Sequence, residues 1–153
     1  EDVADLQRLE EELVEQGYLK PARRPRPPAP RRDGPRTART SDGHVLLYGK
    51  SGRENDEVLR AAGPDDLWFH VRGAPGAHVV LRTAGAPERV PEGAIYEAAT
   101  LAARLSSRRS DGRVEVDVAR AGAVRKPRGA RPGLAYYRAE RTIAVDLTRE
   151  GLR

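Results

Sequence analysis

Between Pro21 and Thr40 the chain carries six prolines and seven arginines and no apolar side chain larger than alanine. Proline fixes φ and offers no backbone donor, and nothing in this stretch has apolar area to bury, so no core can include it. It reads as a disordered or polyproline-like basic linker over 21–40. The chain therefore divides into a short element over 1–20, the linker, and a domain over 41–153 that must supply the whole fold. In the first element Val3, Leu6, Leu9 and Leu13 recur at three and four residues, with acidic side chains elsewhere and Gly17 as a stop. One apolar stripe on a helix this short needs a partner, so it is expected to continue a helical hairpin or coiled-coil arm of a longer parent protein.

Composition removes several classes of function. Cysteine is absent, which excludes disulfides, thiolate metal sites and cysteine nucleophiles. No apolar run approaches the roughly 20 residues of a membrane helix, and no secretory leader is evident, so neither a membrane nor export is expected. Methionine is also absent, even at position 1, and the chain is expected to be a C-terminal piece. The net charge is +5, but nearly all the cations are arginines, with only Lys20, Lys50 and Lys126 as lysines. A GC-rich coding bias would give the same excess, so charge alone argues weakly for RNA.

Within 41–153, Ser41-Asp42-Gly43 is a turn into a strand at Val45 to Tyr48, and Arg53 to Ala62 forms a short helix ended by Gly63-Pro64. Pro91 opens a helix to about Ser107 with Ile95, Ala98, Ala99, Ala102 and Leu105 on one face. Val114, Val116 and Val118 alternate with Arg113, Glu115 and Asp117 as a half-buried strand. Leu134 to Arg138 and Thr142 to Val145 are expected to close the domain as a hairpin. Short strands outnumber helices, which predicts an α+β domain: a mainly antiparallel sheet with two helices.

The chemistry concentrates in strands Leu67 to Val71 and Ala77 to Leu81 around Gly73-Ala74-Pro75-Gly76. Pairing about Ala74 sets Leu67, Phe69 and Val71 with Leu81, Val79 and Ala77 on the core face. Trp68, His70 and Arg72 then share the other face with His78, Val80 and Arg82, with Asp66 across from Arg82. Two histidines and a carboxylate could hold a metal or perform acid–base chemistry. No zinc-type spacing accompanies them, however, and no serine, cysteine or lysine nucleophile is tied to them. The same histidines could be buried and hydrogen-bonded beside a core tryptophan. Alternatively, Trp68, His70, Arg72 and His78 could form an exposed face that stacks bases and contacts phosphates. A second basic element, Val124 to Gly133, spaces Arg125, Lys126, Arg128 and Arg131 with glycines and prolines and leads into Tyr136 and Tyr137. Open backbone of this kind lets several cations meet one phosphate run. Lys50 joins the expected RNA contacts; its Gly49 to Gly52 turn lacks the spacing of an ATP-binding loop.

Five stretches, in order, resemble the NFACT-R module: Gly49-Lys50 through Glu54-Asn55-Asp56-Glu57, Asp65-Asp66-Leu67-Trp68-Phe69-His70, Pro75-Gly76-Ala77-His78-Val79-Val80-Leu81, Glu97-Ala98-Ala99 through Ala102-Ala103, and Arg125 to Gly133. The likeness spans about residues 41 to 146. Ser51-Gly52 stands where the family usually has asparagine and alanine, and Ala77 where serine is common. The resemblance implies a cytoplasmic, non-catalytic RNA-binding module of an RqcH-like factor of ribosome-associated quality control. Such a factor contacts rRNA or tRNA on large ribosomal subunits obstructed by peptidyl-tRNA, during untemplated alanine tailing of the stalled chain. No metal or cofactor is implied. An RNA- or nucleotide-processing enzyme using His70, His78 and Asp66 is the alternative, and a protein-interaction domain with an incidental arginine bias is a weaker one.

Overall fold

The computed structural model describes residues 34–150. The helix expected over 2–16 and the linker up to residue 33 lie outside the described residues. The elements run β1 (Arg36–Arg39), β2 (Val45–Tyr48), α1 (Gly52–Ala61), β3 (Leu67–Val71), β4 (Val79–Leu81), α2 (Glu92–Arg104), β5 (Arg113–Arg120) and β6 (Arg141–Asp146), with a last short helix over Leu147–Glu150. All six strands join one sheet in the order β1-β2-β4-β3-β5-β6, every neighbouring pair antiparallel. The α+β architecture predicted from the alternation of short strands and two helices is the one found.

One face of the sheet is covered by α2. Its small residues Ala94, Ala98, Ala99, Ala102 and Ala103, with Ile95, let the helix lie close on Leu67, Phe69, Val71, Val79 and Leu81, and on Val114, Val116, Val118 and Val145. Together they form the larger core, whose burial is the main stabilising contribution to the domain. The opposite face holds a smaller cluster of Leu47, Val58, Trp68, Val80, Ala119, Ala121 and Val124, with Ala135 and Tyr137 packed on it. Helix α1 contributes Val58 to that layer. It starts at Ser51, whose hydroxyl accepts from the Glu54 N–H at 3.1 Å, as a helix N-cap should.

Three features depart from the sequence reading. Strand β1 lies inside the stretch assigned to the linker. The sheet absorbs it through backbone pairing, Arg36 opposite Tyr48 to Arg39 opposite Val45. Ala38 packs on the core, and Arg36 Nε donates to Glu54 Oε1 at 2.8 Å. The expected terminal hairpin does not form: Thr142 to Val145 belong to β6, which pairs with β5, Val145 opposite Val114. Residues 134–138 instead cross the second face outside the named strands, with an isolated bridge between Arg125 and Tyr136. An eight-residue β5 offers a longer pairing edge than that short segment could. Finally, Asp117 does not point to solvent as alternation predicts; it is 4% exposed, because Tyr137 covers the second face there.

Candidate nucleic-acid interface

The β3–β4 hairpin adopts the register expected from its alternation, with Leu67 opposite Leu81, Trp68 opposite Val80 and Phe69 opposite Val79. Asp66 and Arg82 form the expected ion pair at 3.1 Å. Asp66 also accepts from the backbone N–H of Gly63 at 2.8 Å and of Thr83 at 2.9 Å, so its carboxylate fastens the end of α1 to the end of β4. Every strong acceptor direction of that group is in structural use.

The face carrying the aromatic and the histidines is closed. Trp68 is 1% and His78 2% exposed. Trp68 stacks on His70 at 5.7 Å between centroids, meets His78 edge-on at 5.2 Å, and lies 4.6 Å from Tyr137. The two imidazoles meet edge-on at 5.5 Å. His78 Nε2 faces the Gly133 carbonyl at 3.2 Å, and since a carbonyl can only accept, Nε2 carries the proton. His78 Nδ1 has no hydrogen-bond partner among the described residues, so a second proton would be buried without an acceptor. Burial, reinforced by the neighbouring His70, pushes the His78 imidazole down to about 4. Burial likewise lowers His70. Both rings are neutral at physiological pH and offer phosphate no charge. A base cannot reach the Trp68 indole, so the stacking role expected of Trp68, and the contacts expected of His78, give way to a packed aromatic cluster. Among the described residues no group of three His, Cys, Asp or Glu could hold a metal ion.

Beside this cluster Asp117 is the hub of a polar network. It accepts from the Tyr137 hydroxyl and the Thr142 hydroxyl, each at 2.7 Å, and from Arg72 Nη1 at 3.4 Å. Burial and the adjacent carboxylate raise the Tyr137 phenol, which stays a donor. Arg72 gives this network one edge of its guanidinium and remains exposed.

The segment 125–133 is fixed at both ends and in the middle. Arg125 and Tyr136 exchange backbone N–H···O bonds at 2.8 Å each. Lys126 Nζ donates to the carbonyls of Ala130 at 3.3 Å, Arg131 at 2.7 Å and Leu134 at 3.3 Å, and sits 3.4 Å from Asp56 Oδ1. The same Asp56 oxygen accepts from the Gly133 N–H at 3.0 Å. Gly133 needs its left-handed φ of +84°, and a Cβ there would lie 2.8 Å from Gly52 Cα. The loop thus seats on the first residue of α1. Lys126, expected among the phosphate contacts, is turned inward: its three donors on a point charge suit converging carbonyls, a task the planar guanidinium fork of arginine cannot perform. Being the one lysine among the arginines of that stretch is the signal that sets it apart. Arg125, Arg128 and Arg131 are exposed, and Lys50, also exposed, lies two residues before Gly52. Sequence reasoning took Tyr136 and Tyr137 as one aromatic element. The structure separates them: Tyr137 is bound into the Trp68 cluster, and Tyr136 is 60% exposed beside the arginines.

Residues 36–131 match the family described as the NFACT protein RNA binding domain. The chain belongs to the NFACT-R family. This NFACT-R domain is 35% identical over 144 residues to the Rqc2 homolog RqcH of Bacillus subtilis (strain 168), covering 92% of this chain and 25% of the relative. It is also 35% identical over 153 residues to the Rqc2 homolog RqcH of Streptococcus suis (strain 05ZYH33), covering 99% and 27%. The chain therefore spans about a quarter of the length of the curated relatives it matches. Among solved structures it is similar to the C-terminal part of the fibronectin/fibrinogen-binding protein from Streptococcus suis. The TM-score is 0.72 at 35% identity, covering 95% of this chain and 57% of the other. The family match opens at β1, in agreement with a compact unit that starts at Gly34 rather than at residue 41. No helix among the described residues is long and apolar enough to cross a membrane.

Proposed function

We propose that this NFACT-R domain is the RNA-holding part of an RqcH-like factor of ribosome-associated quality control. It contacts rRNA or tRNA on large ribosomal subunits obstructed by a stalled peptidyl-tRNA while the nascent chain is tailed with alanine in the cytoplasm. The observation that carries the reading is the stapled loop presenting Arg125, Arg128 and Arg131 to solvent, with Arg72 and Lys50 as further cations on exposed positions. Guanidinium groups held on a fixed backbone meet consecutive phosphates through paired N–H donors. The role is binding rather than catalysis: Asp66 is committed to Arg82 and two backbone N–H groups, and His78 to the Gly133 carbonyl. The residues of the enzyme alternative are thus engaged in holding the fold. A further partner is the remainder of its own parent protein, reached through residues 1–20.

The test is crosslinking of the full chain to purified large subunits carrying peptidyl-tRNA, with the contacted nucleotides mapped. Binding should fall at least tenfold between roughly 50 and 200 mM salt. Joint change of Arg125, Arg128 and Arg131 to alanine should remove most of the affinity, lower the salt slope by about two, and leave melting unchanged. Affinity that is flat in salt, or a triple variant that binds like the wild type, overturns the proposal.

A further inference from the structure

From the bridge at Tyr136 onward, side chains 136, 137 and 138 alternate between exposed, half-buried and exposed. Tyr137 faces inward, its hydroxyl on Asp117 and its ring against Trp68. Tyr136 and Arg138 face outward and are exposed. Every other large apolar or aromatic side chain among the described residues is at least partly buried, whereas Tyr136 is 60% exposed. It is not on a loose segment: its backbone N–H and C=O are both bonded to Arg125 at 2.8 Å. A large flat ring held in solvent on a fixed backbone has no ring or side-chain hydrogen-bond partner among the described residues to account for it. Its surroundings are cationic, with Arg125 directly across the bridge, Arg138 two residues on along the same side, and Arg128 and Arg131 in the stapled loop.

We infer that Tyr136 is a stacking platform for an unpaired RNA base whose flanking phosphates are held by Arg125, Arg138 and the loop arginines. This rests on the RNA-binding reading above and narrows it to single-stranded RNA. Every base offers a π-face but presents it only when unstacked, whereas a duplex shows a protein its phosphates and groove edges. A protein partner is the competing occupant. Tyrosine with arginine also occurs at protein interfaces, but the charge here is nearly all of one sign, with Arg125, Arg128, Arg131 and Arg138 against the single carboxylate of Glu140 over 122–141, and such a field favours a polyanion.

The experiment uses the full chain with two probes of equal phosphate number: an unstructured oligouridine carrying one 2-aminopurine, and a blunt RNA duplex. Wild type should bind both in a salt-dependent manner, with 2-aminopurine fluorescence quenched in the single strand. Tyr136→Ala should weaken single-strand binding roughly 5- to 150-fold, the effect of losing one base stack, and abolish the quenching. Duplex affinity, salt slope and melting should not change. Tyr136→Phe keeps the π-face and should bind within about twofold of wild type, whereas Tyr136→Leu keeps apolar bulk without it and should behave like alanine. The stacking role is overturned if Tyr136→Ala and Tyr136→Leu bind the single strand like wild type, or if they lose equally on both probes. A wild type that binds neither probe would instead overturn the RNA-binding reading itself.

Discussion

Lys126→Met removes an ammonium and keeps the aliphatic stem, so it isolates what the charge does. In the native domain that ammonium donates to three carbonyls at 2.7 to 3.3 Å and sits 3.4 Å from Asp56. A hydrogen bond to a charged group contributes about 1.5–3 kcal/mol net when shielded, and less where water can take its place. Lys126 is half-buried. The Asp56 carboxylate keeps the Gly133 N–H when its cation goes, so it is weakened rather than abandoned. Together these place the loss at about 2–4 kcal/mol, capped by the free energy at which the loop can open without unfolding the sheet. Trp68, the single tryptophan, lies beneath the segment that would lift, so its fluorescence during urea unfolding reports both events. Hydrogen exchange at the amides of Ala130 and Gly133 separates them. RNA affinity should fall even though the ammonium touches no phosphate, and the salt slope should stay at the wild-type value. By contrast, Arg128→Ala should change stability by less than about 0.5 kcal/mol and lower the slope. A Lys126→Met variant with wild-type melting and wild-type amide protection would refute the staple.

The neutral histidines make stability pH-dependent: an unfolded His78 binds its proton near 6.5 while the folded one resists it until about 4. The unfolded state therefore holds more protons in that window, and stability should drop by about 3 kcal/mol as pH falls through it, with His70 adding in the same direction. Urea melts at pH 7 and 4.5 check this, and His78→Gln should flatten most of the dependence; a wild type equally stable at both would contradict it. Trp68→Ala should cost about 3–5 kcal/mol, because it hollows out the second face, and should reduce RNA binding only in proportion to unfolding. Asp117→Ala leaves the Tyr137 and Thr142 hydroxyls without their acceptor and should cost about 2–4 kcal/mol in a denaturant melt, with Asp117→Asn intermediate.

The hairpin register was legible because Phe69, Val71, Val79 and Leu81 leave one pairing that keeps all the apolar side chains together, and α2 was legible from its alanine stripe. What covers the other side of the sheet was not. The residues that close it over Trp68 are Ala135 and Tyr137, nearly seventy positions downstream, and local periodicity carries no trace of such a contact. The same remoteness hid the burial of Asp117 and the inward turn of Lys126, since both depend on which elements fold back upon them. Strand β1 escaped notice for a different reason: sheet pairing uses backbone groups every residue has, and an edge strand built of Arg36-Thr37-Ala38-Arg39 shows no apolar alternation. The terminal hairpin was misread because pattern alone cannot tell which of two strands β6 will choose.

The fastening of segment 125–133 to α1 and to the β3–β4 hairpin also determines when its ordering entropy is lost. Fixing backbone costs about 1–2 kcal/mol per residue, and here the loss is incurred on folding, offset by Asp56, Lys126 and His78, before any ligand arrives. RNA then meets guanidinium groups whose spacing is already set. Its association should resemble rigid docking, with rapid electrostatically steered on-rates and a small heat-capacity change, rather than the slow ordering of a flexible arginine-rich arm.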